Sequence, residues 1–458
     1  MKKRTIVGLV ISSLLIALFA ASILKALQDE PPPDVSDLEI DSSVSVKNSF
    51  RERIIKGELS LPRDVWEEVG EVYSRAYNDN PGLSYPEIRK KWDTRQMDEA
   101  LAKMPPEFWK NFDSILQATP ERKVDRGELR WFNISSLRVV GNRAIRLAQQ
   151  GDADAGLRLA AKMALFGRLA CESSCSSIDW HMALSIRSNS YVVMGEIVGN
   201  YPVSSECLRE VRQFVKQTRV SNDEVRGMIK GDFCYMSQIA FVWYWDSIST
   251  LSERDGVEIP SDNFLAIPFI ARICPPEILI RQNETIRRYA ELVREVLAWP
   301  DYTNQQLNQA SATLEDQARQ YRKGRFPYDP VNAGGRLLLP YMVKDYRESL
   351  ARHLQVESMA SAVEAMLAAR EYELQQSVLP ESLDKLVSAY FSAVPVDYID
   401  GHPIRYSLPA RAIWTIGSKY PIGEPLPNPA NKDAIENCIF RLLPLPNREV
   451  TESSETGR

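Results

Sequence analysis

Apolar and polar positions along this chain follow three regimes. Residues 5–24 carry no charged side chain. From Asp64 to Tyr321 apolar residues recur three and four apart, the pattern of helices with one buried face. Beyond Pro395, short alternating runs with the period of strands take over. Within the helical regime, Leu129 to Gln149 would bury Leu137, Val140, Ala144, Ile145 and Leu147. The turn Gln150-Gly151-Asp152 follows, and Ala153 to Ala170 repeats the pattern with Leu157, Ala160, Ala161, Ala164, Leu165 and Leu169. Ile178 to Val198 and Ser204 to Val215 continue it, with Pro202 between them. Pro62, Pro86, Pro105-Pro106, Pro120, Pro202, Pro275-Pro276 and Pro300 punctuate the helices, several at starts, where a missing N–H costs nothing. Successive antiparallel pairs of this size suggest a tetratricopeptide-like stack; no period of about 34 residues is visible, so a degenerate array or a plain bundle fits equally.

The C-terminal region is patterned differently. From Tyr346, apolar residues fall at Leu350, Leu354, Met359, Val363, Met366, Leu367 and Leu374. Interleaved alanines (Ala360, Ala362, Ala365, Ala368, Ala369) favour a long helix and close packing. Pro380 is expected to end that helix or start the next, and Glu381 to Tyr390 to form that next helix with Leu383, Leu386, Val387 and Tyr390 inward. Pro395 and Asp400-Gly401 mark turns, and Ile404 to Ser407 with Ala412 to Ile416 read as a hairpin. Gly324 to Leu339 reads as a turn-rich break before this unit. The proline-rich tail after Tyr420 would pack around Ile435 to Leu443 and fray beyond Pro446.

On these residues a resemblance rests. Leu379-Pro380-Glu381-Ser382-Leu383, Leu386, Tyr390, Pro395, Asp397, Asp400-Gly401-His402-Pro403-Ile404-Arg405-Tyr406 and Ile416-Gly417-Ser418 resemble the C-terminal module of type II secretion major pseudopilins. The stretch is also similar to the ending of a group of membrane-anchored bacterial envelope proteins with a large helical region before it. The resemblance covers about 75 of the 458 residues and implies a small helix-plus-sheet fold. A pseudopilin begins with a leader ending in glycine and a Phe-Thr-Leu-x-Glu helix, whereas Met1 to Leu24 has neither that pattern nor a glutamate. Its calcium-binding loop would correspond to Ser418 to Glu424, which holds one acid and one lysine. The fold is therefore carried over, but pilus assembly and calcium are not.

Lys2, Lys3 and Arg4 precede the uncharged stretch, whose twenty residues would rise ~30 Å as a helix, enough to span a bilayer. The positive-inside rule places everything after Lys25 outside the inner membrane. Ala20 and Ser22 offer a signal-peptidase site, so cleavage is the alternative to an uncleaved anchor. The expected organisation is a membrane anchor or signal segment at 1–28 and a Pro31-Pro32-Pro33-containing linker at 29–60. A helical domain at 61–323, a long helix plus pseudopilin-like α+β module at 336–446 and a disordered tail at 447–458 follow. Apolar content of 44% and charged content of 26% are those of a globular protein, and a net charge of −5 without a basic stripe argues against nucleic-acid binding.

Candidate chemistry is sparse. Six cysteines (Cys171, Cys175, Cys207, Cys234, Cys274, Cys438) on the oxidising side of a membrane would allow disulfides, and Cys171 with Cys175 has helical i, i+4 spacing. A metal site from Cys171, Cys175 and His181 lacks a second ligand pair. His181 reads as a core or groove residue, His353 as a solvated helix position and His402 as part of a turn. No H-E-x-x-H, G-x-S-x-G or P-loop motif occurs. Leu169 to Ser174 is faintly similar to the glutamate-bearing helix of lytic transglycosylases, with Glu172 as the acid, but the Gly-Leu-Met-Gln stretch that should follow is missing. Asp397 and Asp400 form a carboxylate pair that turn geometry also explains. The strip Phe241-Val242-Trp243-Tyr244-Trp245 reads as core. No catalytic, cofactor-binding or metal residue is assigned. The expectation is a mainly α, membrane-anchored extracytoplasmic scaffold or interaction protein, held by the inner membrane through residues 5–24, with an envelope protein as partner. The alternatives are an envelope enzyme acting on cell-wall polymer and an accessory component of a pseudopilin-type secretion system.

Overall fold

The computed structural model describes residues 31–39, 53–54, 58–59, 67, 94–118, 134–174, 176–251, 281–322, 333–416 and 439–444. The described chain is mainly helical and ends in a small sheet. The helices are α1 (Thr94–Ala102), α2 (Pro106–Ile115), α3 (Ile134–Gln149), α4 (Ala153–Ser173) and α5 (Ser177–Asn200). They continue as α6 (Ser205–Gln217), α7 (Asn222–Leu251), α8 (Gln282–Val296), α9 (Asn304–Arg322) and α10 (Ala333–Gln376).

Local chemistry sets many of these boundaries. The side chains of Asp152, Ser176 and Ser204 cap α4, α5 and α6, accepting the amides of Ala155, Asp179 and Cys207 at 3.0, 3.2 and 3.2 Å. Helix α5 is buried over most of its circumference, through Trp180, Leu184, Ile186, Tyr191, Met194 and Ile197 among others, with one half-exposed stripe along His181, Ser185, Asn189 and Glu196. Such a helix is an interior one. It packs on α3, α4 and α10, and α10 also packs on α6, α8 and α9. Contacts rise together along α5 and α10, from His181 with Ser349 through Arg187 with Glu357 to Val198 with Arg370, so the two helices run parallel. The 44-residue α10 thus lies in the helical body as well as leading into the C-terminal module.

Several boundaries differ from expectation. Helix α10 begins at Ala333, inside the expected break, with Gly334 and Gly335 in its first turn and Pro340 within its run. The proline forgoes one backbone hydrogen bond, a loss that packing along the rest of the helix offsets. The helix stops at Gln376, before Pro380, because Ser377 takes the left-handed conformation (φ 61°) that terminates helices. No helix forms over Glu381 to Tyr390: a 3₁₀ turn at Leu383–Leu386 buries its two leucines. Val387 and Tyr390 are half-buried, and Ser388 (φ 74°) folds back to donate its N–H to the Phe391 carbonyl at 2.8 Å.

The hairpin is present as β1 (Arg405–Ser407) antiparallel to β2 (Ala412–Trp414), with Tyr406 opposite Ile413. Strand β3 (Ile439–Arg441) adds to the other edge of β2, with Phe440 opposite Ile413, an element the sequence reading had as part of an irregular tail. This strand is wedged against α5 at Gly195 and Gly199. A Cβ on Gly195 would meet the Phe440 ring at 2.2 Å, and one on Gly199 the Arg441 carbonyl oxygen at 2.3 Å. Only glycine admits so close a strand.

Part of the expected linker is docked. Leu38 is fully buried, and Arg294 holds the Asp37 carboxylate at 2.7 and 2.8 Å. Among the described residues no helix is long and apolar enough to cross a membrane. The expected anchor at residues 5–24, the side chains of Phe241 to Trp245, Cys175, Cys274, Cys438, the loop Ser418 to Glu424 and the tail at 447–458 lie outside the described residues.

Candidate functional site

The densest polar chemistry lies in the seam between α10 and the helices beside it. Glu357, Glu364 and Glu371 recur every seventh residue, which aligns them along one face of α10. Three cationic side chains of α6 (Arg209, Arg212, Lys216), Arg187 of α5 and Arg219 of the α6–α7 turn face them. Glu371 pairs with Arg209 and Arg212, each at 3.2 Å. Glu364 takes Arg219 at 3.3 Å and Lys216 at 3.6 Å.

Glu357 is the buried end of this column. It accepts Arg187 Nη2 at 2.6 Å, Arg219 Nη1 at 3.4 Å and the Val220 N–H at 3.3 Å. Arg187 is fully buried, and its stem crosses α4 at Gly167, where a Cβ would stand 2.6 Å from Arg187 Cγ. Arg187 also donates to the Tyr191 hydroxyl at 3.3 Å, which is joined to Thr218 Oγ1 at 2.9 Å. Burial pushes the Glu357 carboxyl up, but Arg187, His353 and Arg219 outweigh it and hold the group below its ordinary value. Burial likewise opposes the charge on Arg187, and Glu357 more than restores it.

The same column ties in the C-terminal module. Arg219 donates to the Glu357 carbonyl at 2.6 Å and to Ser361 Oγ at 3.0 Å, and its guanidinium lies 5.7 Å from the centre of the Tyr398 ring. Ser358 Oγ accepts the Tyr398 N–H at 2.8 Å. Arg212 donates to the Tyr390 carbonyl and stacks 5.2 Å over that ring. Arg370, almost wholly buried, donates to the carbonyls of Val198, Gly199 and Leu443 at 3.1, 3.2 and 2.9 Å.

Each residue singled out from sequence has a definite place. His353, expected in solvent, is buried (3% exposed), with its ring centroid 5.8 Å from that of Trp180 and its Nδ1 without a hydrogen-bond partner. It sits one turn before Glu357, on the face of α10 that meets α5, and burial lowers its pKa to about 4. His181 is half-buried at the same seam, its Nε2 2.9 Å from Ser349 Oγ. His402 is exposed in its turn, where its N–H donates to Asp400 Oδ1 at 3.0 Å.

Glu172 is paired with Arg168 one helical turn earlier, and Arg168 also reaches Glu224 at 2.7 Å. Asp397 and Asp400 are joined by the two ends of one guanidinium, that of Arg405. Asp397, fully buried, also accepts the N–H groups of Ile399 and Ile416 at 3.1 and 2.9 Å, and burial drives its pKa upward against the pull of those donors. Cys171 and Cys207 are buried free thiols. Cys171 thus takes part in no disulfide, and α4 ends at Ser173 with Ser174 extended, just before Cys175, which lies outside the described residues. Among the described residues no group of His, Cys, Asp and Glu gathers as metal ligands would.

The glutamate column escaped the sequence reading although its signal was there: three acids seven apart in an alanine-rich helix whose other positions read as core. Comparison with protein-family models, curated proteins and solved structures found no match.

Proposed function

We propose that the chain is a membrane-anchored scaffold or interaction protein working outside the inner membrane. The observation that carries this reading is the joining of the helical body and the C-terminal module through α10, whose Glu357, Glu364 and Glu371 are each engaged by cations from other elements. An arrangement of that kind spends its polar groups on holding elements in register. Lys2, Lys3 and Arg4 before the uncharged 5–24 stretch support the anchor. The short-looped packing of α3 on α4 and of α4 on α5 supports an array of helical hairpins. The order of long helix, 3₁₀ turn, aspartate-glycine turn and antiparallel sheet supports kinship of the ending with the pseudopilin module.

Reporter fusions after Pro33 test the topology: activity is expected only for reporters that work outside the cytoplasm, and alkaline extraction should leave the protein in the membrane. A fusion active in the cytoplasm refutes the placement, and release by alkali means the segment is cleaved. The scaffold reading itself is tested by Glu172→Gln. A null cellular phenotype with an unchanged thermal midpoint would transfer the protein to the enzyme class.

A further inference from the structure

We propose that His353 is an acid-sensitive latch: its protonation unfastens the seam between α5 and α10 and, through Glu357 and Arg219, loosens the C-terminal module.

The geometry around this ring leaves no place for a second proton. His353 is packed against Trp180 of α5, and its Nδ1 has no acceptor, so an imidazolium there would carry a buried, unbonded N–H. The charged and titratable groups that face it are Arg187 from α5, Glu224 from α7 and Glu357 from its own helix, with Arg219 beyond Glu357 and the Cys171 thiol of α4 beside Arg187. Glu357 already serves Arg187, Arg219 and the Val220 N–H. Glu357 and Glu224 would attract an imidazolium, but burial and the neighbouring Arg187 guanidinium, which already holds Glu357, together outweigh them. The ring escapes this by leaving Trp180 for water, which parts α5 from α10.

The consequence reaches beyond the seam because Glu357 and Ser358 are neighbours. Arg219, held by the Glu357 carboxylate and carbonyl, lies over the Tyr398 ring, while Ser358 Oγ holds the Tyr398 N–H. Moving this turn of α10 withdraws both supports of Tyr398 together. Burial holds the folded imidazole near 4, against about 6.5 when unfolded. Between those values the unfolded chain binds a proton that the folded chain refuses, so stability is full above pH 6.5 and falls as pH drops toward 4.

The experiment is denaturant unfolding of the full chain in detergent at pH 7.5 and pH 5.0, for the native protein, His353→Phe and His402→Gln. Phenylalanine keeps a flat ring against Trp180 and removes only the titrating nitrogens. The native protein and His402→Gln should lose roughly thirtyfold more of their folding constant on acidification than His353→Phe does. Equal losses in all three overturn the proposal. Hydrogen exchange at pH 5.0 reads the coupling: the Tyr398 amide should exchange at least tenfold faster in the native protein than in His353→Phe, and equal rates overturn the transmission to the module. Should His353→Phe not fold, ring NMR of the native protein decides. With only three histidines in the chain, the ring signals can be told apart, and the His353 ring should stay neutral at pH 5.0. A His353 ring that protonates near pH 6.5 in a still-folded seam overturns the latch.

Discussion

Replacing the two partners of the buried pair at the heart of the seam should give unequal costs, and the structure says which is larger. Arg187→Met keeps an unbranched stem across Gly167 and deletes the guanidinium. Glu357 is then left with Arg219 at 3.4 Å and the Val220 N–H at 3.3 Å, so its charge remains compensated. A cost of roughly 1–3 kcal/mol follows, that of charged hydrogen bonds lost without a stranded ion. Glu357→Leu is the harsher change. Arg219, with 23% of its side chain exposed, can turn to water, but Arg187 has none exposed and is stranded as a buried cation. That situation costs roughly 3–5 kcal/mol. The double variant removes the stranded charge along with its partner and should be no less stable than Glu357→Leu alone. Urea unfolding followed by tryptophan fluorescence supplies the free energies, provided the slopes stay constant across variants. If Arg187→Met proved the costlier single change, or if the double variant showed the sum of the two costs, the account of Glu357 as the shared anion would be wrong.

Three further outcomes follow. Leu383→Ala empties a site only 4% exposed and should cost ~2–5 kcal/mol, read from the unfolding midpoint. Asp397→Asn, which the turn alone would make mild, should instead cost roughly 1–3 kcal/mol, because Arg405 and two backbone N–H groups converge on this buried carboxylate while Arg405 keeps Asp400. Asp400→Asn, whose side chain is 23% exposed, should cost about 1 kcal/mol or less, and equal effects of the two would refute the assignment. Burial pushes the thiols of Cys171 and Cys207 up to about 12 each, so iodoacetamide at pH 8 should spare both in the native protein and modify both in denaturant.

Much of the helical body was legible from residues. The apolar spacing of α4 to α6, with the Gln150-Gly151-Asp152 turn and Pro202 between them, put those helices within a few residues of their observed limits. The Tyr406–Ile413 hairpin was legible for the same reason, since period-two patterning and the Asp400-Gly401 turn are local signals. Failures came where distant packing overrode a local cue. Gly334, Gly335 and Pro340 are poor helix formers, yet α10 runs through them. Ser377 and Ser388 adopt positive φ, which nothing in a serine announces. His353 was misplaced because a histidine flanked by Arg352 and Gln355 looks solvated, while the neighbour that buries it, Trp180, lies far away in sequence. Strand β3 was hidden because its partners, β2 and the glycines of α5, are non-local.

That last strand also sets an order of assembly. The ribosome releases α5 roughly 240 residues before Phe440, and contacts spanning such distances are the slow ones. Until Ile439 to Arg441 emerges, the notch at Gly195 and Gly199 and one edge of β2 stay bare, and Arg370 lacks the Leu443 carbonyl it binds. A copy of the chain that stops short of this strand would therefore present an apolar groove beside an open sheet edge, the kind of surface that aggregates or draws proteases. Only the arrival of this late strand fills that notch and pairs that edge.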